Sequence, residues 1–224
     1  MIALVFSYRR SAALFLVLFA GALAGIVCMG LFVHSVLPLV LGIAAICVGI
    51  FVVCLISYAI ARHLLGCQID ALLKEDTAEP LQERMRRLTR RAVAGGIKGR
   101  LSVEYAYALL YGGAWKDALT AASDALVFAG DKMKPAAYVP MCGAYFGLNE
   151  KELFDTFFPR AEHYLQSIRK PTIRTTVSLA ALNAMRRALS GDSGAVESLN
   201  SIDAQTLPPV LKTALEKFKN YILH

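Results

Sequence analysis

Between Ser11 and Ala61 the chain runs for 51 residues without Asp, Glu, Lys or Arg, and His34 is its only imidazole. A bilayer core about 30 Å thick is crossed by roughly 20 apolar residues in a helix. A stretch of this length therefore predicts two crossings and a tight turn. The turn falls at His34-Ser35-Val36-Leu37-Pro38, where Ser35 can cap a second helix and Pro38 loses no hydrogen bond in its first turn. Transmembrane spans are expected over 11–33 and 36–61. Arg9 and Arg10 precede them, Arg62 and His63 follow, and the turn carries no Lys or Arg, so both termini are expected in the cytoplasm. The placement this predicts is integral and multi-pass, in a bacterial plasma membrane, with the lipid bilayer as a partner. Ala22-Leu23-Ala24 resembles a signal-peptidase site, but apolar sequence continues for 37 residues beyond it.

Within the expected spans, Gly21 and Gly25 form a GxxxG, and Gly42 and Gly49 lie on a second small-residue stripe. Such faces let helix backbones approach closely in lipid. They predict packing within the hairpin or, alternatively, a homodimer through the same faces. The spans hold no acid or base, which removes the usual parts of a proton relay or ion-coupled carrier.

After Ala61 the composition changes. All 17 acidic residues and every cation except Arg9 and Arg10 lie beyond it, within a chain whose net charge is +7. Residues 62–98 read as a basic juxtamembrane neck. A helix starting near Pro80 carries Leu81, Met85, Leu88 and Ala92 on one stripe, with Arg84, Arg86, Arg87, Arg90 and Arg91 around it. These five arginines are candidate contacts for anionic lipid headgroups; a solvated helix face accounts for them equally well. Aromatic interleaving and a recognition motif are missing, so no nucleic acid partner is expected. Gly95-Gly96-Ile97-Lys98-Gly99-Arg100 reads as a flexible linker.

Residues 99–224 show helical periodicity and no strand alternation. Helices are expected at about 99–112, 114–129, 135–147, 149–168 with a break near Pro159, 171–190, 194–203 and 207–223. Short links between them predict antiparallel neighbours. Gly113-Ala114-Trp115-Lys116-Asp117-Ala118-Leu119 resembles the turn and second-helix start of a tetratricopeptide repeat, and Ala106, Ala118 and Ala125 stand at that family's small packing positions. Gly147-Leu148-Asn149-Glu150-Lys151-Glu152-Leu153 follows 34 residues later, pairing Tyr111 with Tyr145, Gly113 with Gly147 and Leu119 with Leu153. A looser echo begins at Leu189. The fold class expected is all-α: an N-terminal transmembrane hairpin at 1–61, then a cytoplasmic tetratricopeptide-like α-solenoid or an irregular helical bundle. The resemblance implies a protein-binding groove, with Tyr105, Tyr138, Tyr145 and Arg186 or Arg187 as candidate groove residues. Pro208-Pro209 and the cationic helix after it look like a solenoid cap.

Catalytic strings are missing. The four histidines are isolated, no metal-ligand spacing links the five cysteines, and Glu104 or Glu162-His163 would act only if a fold brought partners to them. No cofactor, metal or enzymatic activity is expected. The sequence thus predicts a membrane-anchored adaptor that recruits an unidentified protein partner. The alternatives are an accessory or protective membrane subunit acting through its hairpin, or a protein of anionic lipid surfaces.

Overall fold

The computed structural model describes residues 17, 20–21, 24–25, 43–44, 47–49, 63, 65–92, 95–131, 133–192, 194–200, 202 and 205–223. The chain divides into two compact units, residues 1–68 and 69–224. In the first unit the described residues are helical and mostly exposed. The second contains α1 (Glu79–Arg91), α2 (Gly95–Gly112), α3 (Trp115–Phe128), α4 (Lys134–Gly147), α5 (Lys151–Gln166), α6 (Ile173–Leu189), α7 (Ala195–Asn200) and α8 (Pro209–Leu223).

Among the described residues, no helix is long and apolar enough to cross a membrane. The longest of the named helices, α2, has 18 residues and includes Lys98, Arg100 and Glu104, whereas a crossing needs about 20 apolar ones. The expected transmembrane hairpin is corrected on this ground. With it go the multi-pass plasma-membrane placement, the bilayer as partner, the span-mediated homodimer, and the membrane-anchored and hairpin-acting roles. Most residues of 11–33 and 36–61, Gly42 included, lie outside the described ones. Nothing described stands within 4 Å of a Cβ placed on Gly21 or Gly49.

Local chemistry explains where the helices begin. Pro80 and Pro135 stand in the first turns of α1 and α4, where a missing N–H is harmless. Thr172 caps α6, its hydroxyl accepting from the Thr175 N–H at 3.3 Å. Two expectations give way. Residues 95–100 open α2 rather than forming a linker, and Gly99 is buried. Pro140 and Pro159 lie inside uninterrupted helices α4 and α5.

Three helix ends share one construction. After α2, Gly113 takes φ 83°, its N–H donates to the Leu110 carbonyl, and the Ala114 N–H donates to the Leu109 carbonyl. After α4 the same two bonds run from Asn149 to Phe146 and from Glu150 to Tyr145. After α6 they run from Gly191 to Ala188 and from Asp192 to Arg187. Each is a Schellman end built on one left-handed residue, and Gly and Asn are the residue types that reach that conformation most easily. The repeat therefore steps by 36 residues between the first two ends and by 42 to the third. The 34-residue register expected from Gly113 and Gly147 is out of phase by two: the counterpart of Gly113 is Asn149, and that of the small Ala118 is Phe154. The tetratricopeptide reading is corrected accordingly, while repeat-like packing of helices remains.

Successive helices pack on one another from α1 to α5, with α2 also touching α4, α4 touching α6, and α8 touching both α2 and α6. In an open solenoid each repeat meets only its neighbours. Here the last helix returns to α2, so the expected cap instead closes the array. Its start is held by the Val210 N–H donating to the Leu73 carbonyl at 3.3 Å and by the Thr213 hydroxyl donating to the Asp76 carbonyl at 3.2 Å. Near its end the Tyr221 hydroxyl donates to the Gly147 carbonyl at 3.0 Å. Phe146 meets Phe218 and Tyr221 at ring-centroid distances of 5.3 and 5.6 Å. A Cβ on Gly147 would run into the Trp115 indole, a rigid ring that cannot yield locally. Gly147→Ala is expected to destabilise the protein by about 1–3 kcal/mol, read as a lower midpoint in chemical denaturation.

Candidate functional site

The face of α2 that looks toward α6 carries Glu104, Tyr107 and Tyr111 at i, i+3 and i+7. Glu104 Oε2 meets Arg174 of α6 at 2.6 Å, with the two side chains 17% and 22% exposed. The same guanidinium lies 4.0 Å from the centre of the Tyr107 ring, and Tyr107 lies 6.2 Å from Tyr111. Burial works against the Arg174 charge, but the Glu104 carboxylate outweighs it and holds the guanidinium protonated. Burial also raises the proton affinity of the Tyr107, Tyr111 and Tyr164 hydroxyls, and the Arg174 charge opposes it in each. The Tyr111 hydroxyl is sealed from solvent and has no hydrogen-bond partner.

Beside this polar knot lies a cavity of about 170 Å³. Its walls come from Tyr107, Leu110 and Tyr111 of α2, Val139 and Gly143 of α4, Val177, Ala181, Leu182 and Met185 of α6, and Leu211, Leu215 and Phe218 of α8. Trp115 and Tyr221, whose rings stand 5.8 Å apart, also border it. Ser178, Arg174 and the exposed Lys217 add polar atoms, and the lining contains no Cys, His, Asp or Glu. No family model matches the chain, and neither does any curated protein or solved structure.

The residues singled out from sequence lie elsewhere. Arg84, Arg86, Arg87, Arg90 and Arg91 occupy the exposed side of α1, opposite buried Leu81, Met85 and Leu88. Glu83 answers two of them, at 2.5 Å to Arg86 and 2.6 Å to Arg87, and the Arg87 bond leads in holding its carboxyl below the usual range. Tyr138 and Tyr145 stack on Phe157 of α5 at 5.7 and 5.6 Å, so they build the α4–α5 interface instead of lining the cavity. Tyr105 is half-buried and borders no part of the cavity. Arg186 lies over the Phe158 ring at 4.7 Å, and Arg187 pairs with Asp192 at 2.7 Å. Sequence reasoning missed Arg174 altogether. The available signal was on α2, where a carboxylate and two phenols share one helix face.

Removing a buried, unpartnered hydroxyl removes its desolvation cost. Tyr111→Phe is expected to stabilise the unliganded protein by about 1–3 kcal/mol, measured by denaturant titration. A raised tyrosine pKa means that the folded state holds its proton more tightly than the unfolded chain does. The stability this contributes is fully present below pH about 10, the unfolded tyrosine value, and is lost as the pH climbs from there toward the folded values. Tyrosinate absorbance is expected to show Tyr107, Tyr111 and Tyr164 ionising together with alkaline unfolding rather than ahead of it.

Proposed function

We propose that residues 69–224 form a non-catalytic binding module that holds a small apolar molecule between α2, α4, α6 and α8. The observation that carries this reading is the cavity of about 170 Å³ with walls almost wholly of carbon. An apolar cavity of about 150 Å³ accepts benzene, so this half-open space, bordered by the exposed Lys217 and Tyr221, has room for one aromatic ring or a branched alkyl group of like size. Aromatic side chains at its border, Trp115 and Tyr221, supply flat contact area at low entropic cost. The polar atoms present suit orientation better than chemistry. Arg174 is already paired with Glu104, the tyrosines hold their protons, and no carboxylate or imidazole borders the space to act as a base at neutral pH.

Toluene is the simplest probe. A ligand that binds only the folded state at about 100 times its Kd adds about 2.7 kcal/mol. For a domain of this size that raises Tm by about 5–10 °C. Ala214→Phe on α8 places a ring in the same space and is expected to abolish the shift while leaving the helical circular dichroism intact. The absence of any toluene shift, or an undiminished shift in Ala214→Phe, would overturn the reading.

A further inference from the structure

We infer that the ligand of this cavity is a small amphiphilic carboxylic acid, its ring or branched end lodged in the cavity and its carboxylate held in water at the mouth by Lys217. This rests on the binding reading above and adds the chemistry and position of the head group.

The lining changes character from floor to mouth. Val139, Leu182, Met185, Leu211, Leu215 and Phe218 are buried and offer only apolar side chains. Exposure among the lining residues is confined to Gly113, Lys217 and Tyr221, which therefore mark the opening. Lys217 and Tyr221 stand one turn apart on α8, so the ammonium and the phenol ring share one edge of it. A lysine in this position can lay its methylene stem along an apolar rim and keep its charge in water. An apolar floor beneath a charged rim fits a molecule with one greasy end and one ionic end.

The sign of that ionic end follows from the charges of the lining. It contains two cations, Arg174 and Lys217, and no acid. Glu104 already answers Arg174 at 2.6 Å. A carboxylate drawn inward to Arg174 would have to share it with Glu104, leaving a net negative charge among carbon side chains, which is costly. Lys217 is different. The residues three and four positions away on its own helix, Thr213, Ala214, Asn220 and Tyr221, carry no charge, and the adjacent Glu216 pairs with Lys219 at 3.5 Å. Among the described residues Lys217 has no ion-pair partner. The uncancelled charge of the lining is thus one cation at the mouth, where an anion meets it without leaving water.

Three probes share one body and differ in head charge: 3-phenylpropanoate, 3-phenylpropan-1-ol and 3-phenylpropylamine. The ring fills the cavity and the short chain carries the head to the opening. Affinities are measured on the full chain by calorimetry at neutral pH and low salt. The carboxylate is expected to bind about 2- to 30-fold more tightly than the amine, one exposed charge pair counted as attraction for the first and repulsion for the second. The preference is expected to shrink in 1 M salt, where the screening length falls to about 3 Å. Lys217→Glu, a change at an exposed position, is expected to reverse the order of carboxylate and amine and to leave the alcohol unchanged. Ala214→Phe is expected to weaken all three. A carboxylate preference that survives in Lys217→Glu would put the head at Arg174 and overturn the assignment. Equal binding of carboxylate and amine, or tighter binding of the amine, would overturn the anionic head while the alcohol keeps the binding reading standing. If none of the three binds, the binding reading falls too.

Discussion

The contact between Glu104 and Arg174 ties together helices 70 positions apart in the chain and sets the character of everything around it. An ion pair this shielded needs further partners to offset its lost hydration. The Tyr107 ring beneath the guanidinium supplies one of them. The pair also bridges α2 and α6 beside the cavity. Because the two charges cancel, they leave a polar yet neutral boundary to a space otherwise walled with carbon. The buried tyrosines keep their protons in that setting.

The helical array around this contact is built from three copies of one helix ending. Gly113, Asn149 and Gly191 each turn the chain with a left-handed residue, and the flanking bonds repeat position for position. What differs is the size of the side chains that follow. The first pair of helices buries Ala118, Ala121, Ala122 and Ala125 on α3, whereas α5 buries Phe154 and Phe158 at equivalent positions. The same turn thus serves a pair joined through methyl groups and a pair joined through rings. The aromatic residues of the second pair, Tyr138, Tyr145 and Phe157, are consumed in that joint.

Packing of α8 against α2 and α6 makes one wall of a half-open cavity. Without α8, the apolar side chains of α2, α4 and α6 that line the cavity would meet water more fully. With α8 laid against α2 and α6, anchored near the Leu73–Asp76 carbonyls at one end and at Gly147 near the other, that lining is partly covered. The leftover volume is about that of one ring.

Much of the helical domain is legible in sequence because its causes are local. The stripe of Leu81, Met85 and Leu88 follows from helical spacing, the start of α6 follows from Thr172, and the ends of α2 and α6 follow from Gly113 and Gly191. Other features mislead for equally local reasons. Gly147 looks like the mate of Gly113, yet it is glycine because the Trp115 ring presses on it, and the turn belongs to Asn149. The long uncharged stretch 11–61 suggests a membrane hairpin, but apolar composition alone does not specify one, and no described helix can span a bilayer. Glu104 and Arg174 stand too far apart in the chain for any spacing rule to join them. Periodicity and capping act within a few residues, so the sequence by itself determined an all-α domain and most of its helix ends. Which helix faces meet, where α8 closes, and that a neutral ion pair lies beside one cavity depend on contacts far beyond that range, 70 positions for Glu104 and Arg174 and 74 for Gly147 and Tyr221, and only the tertiary structure decided them.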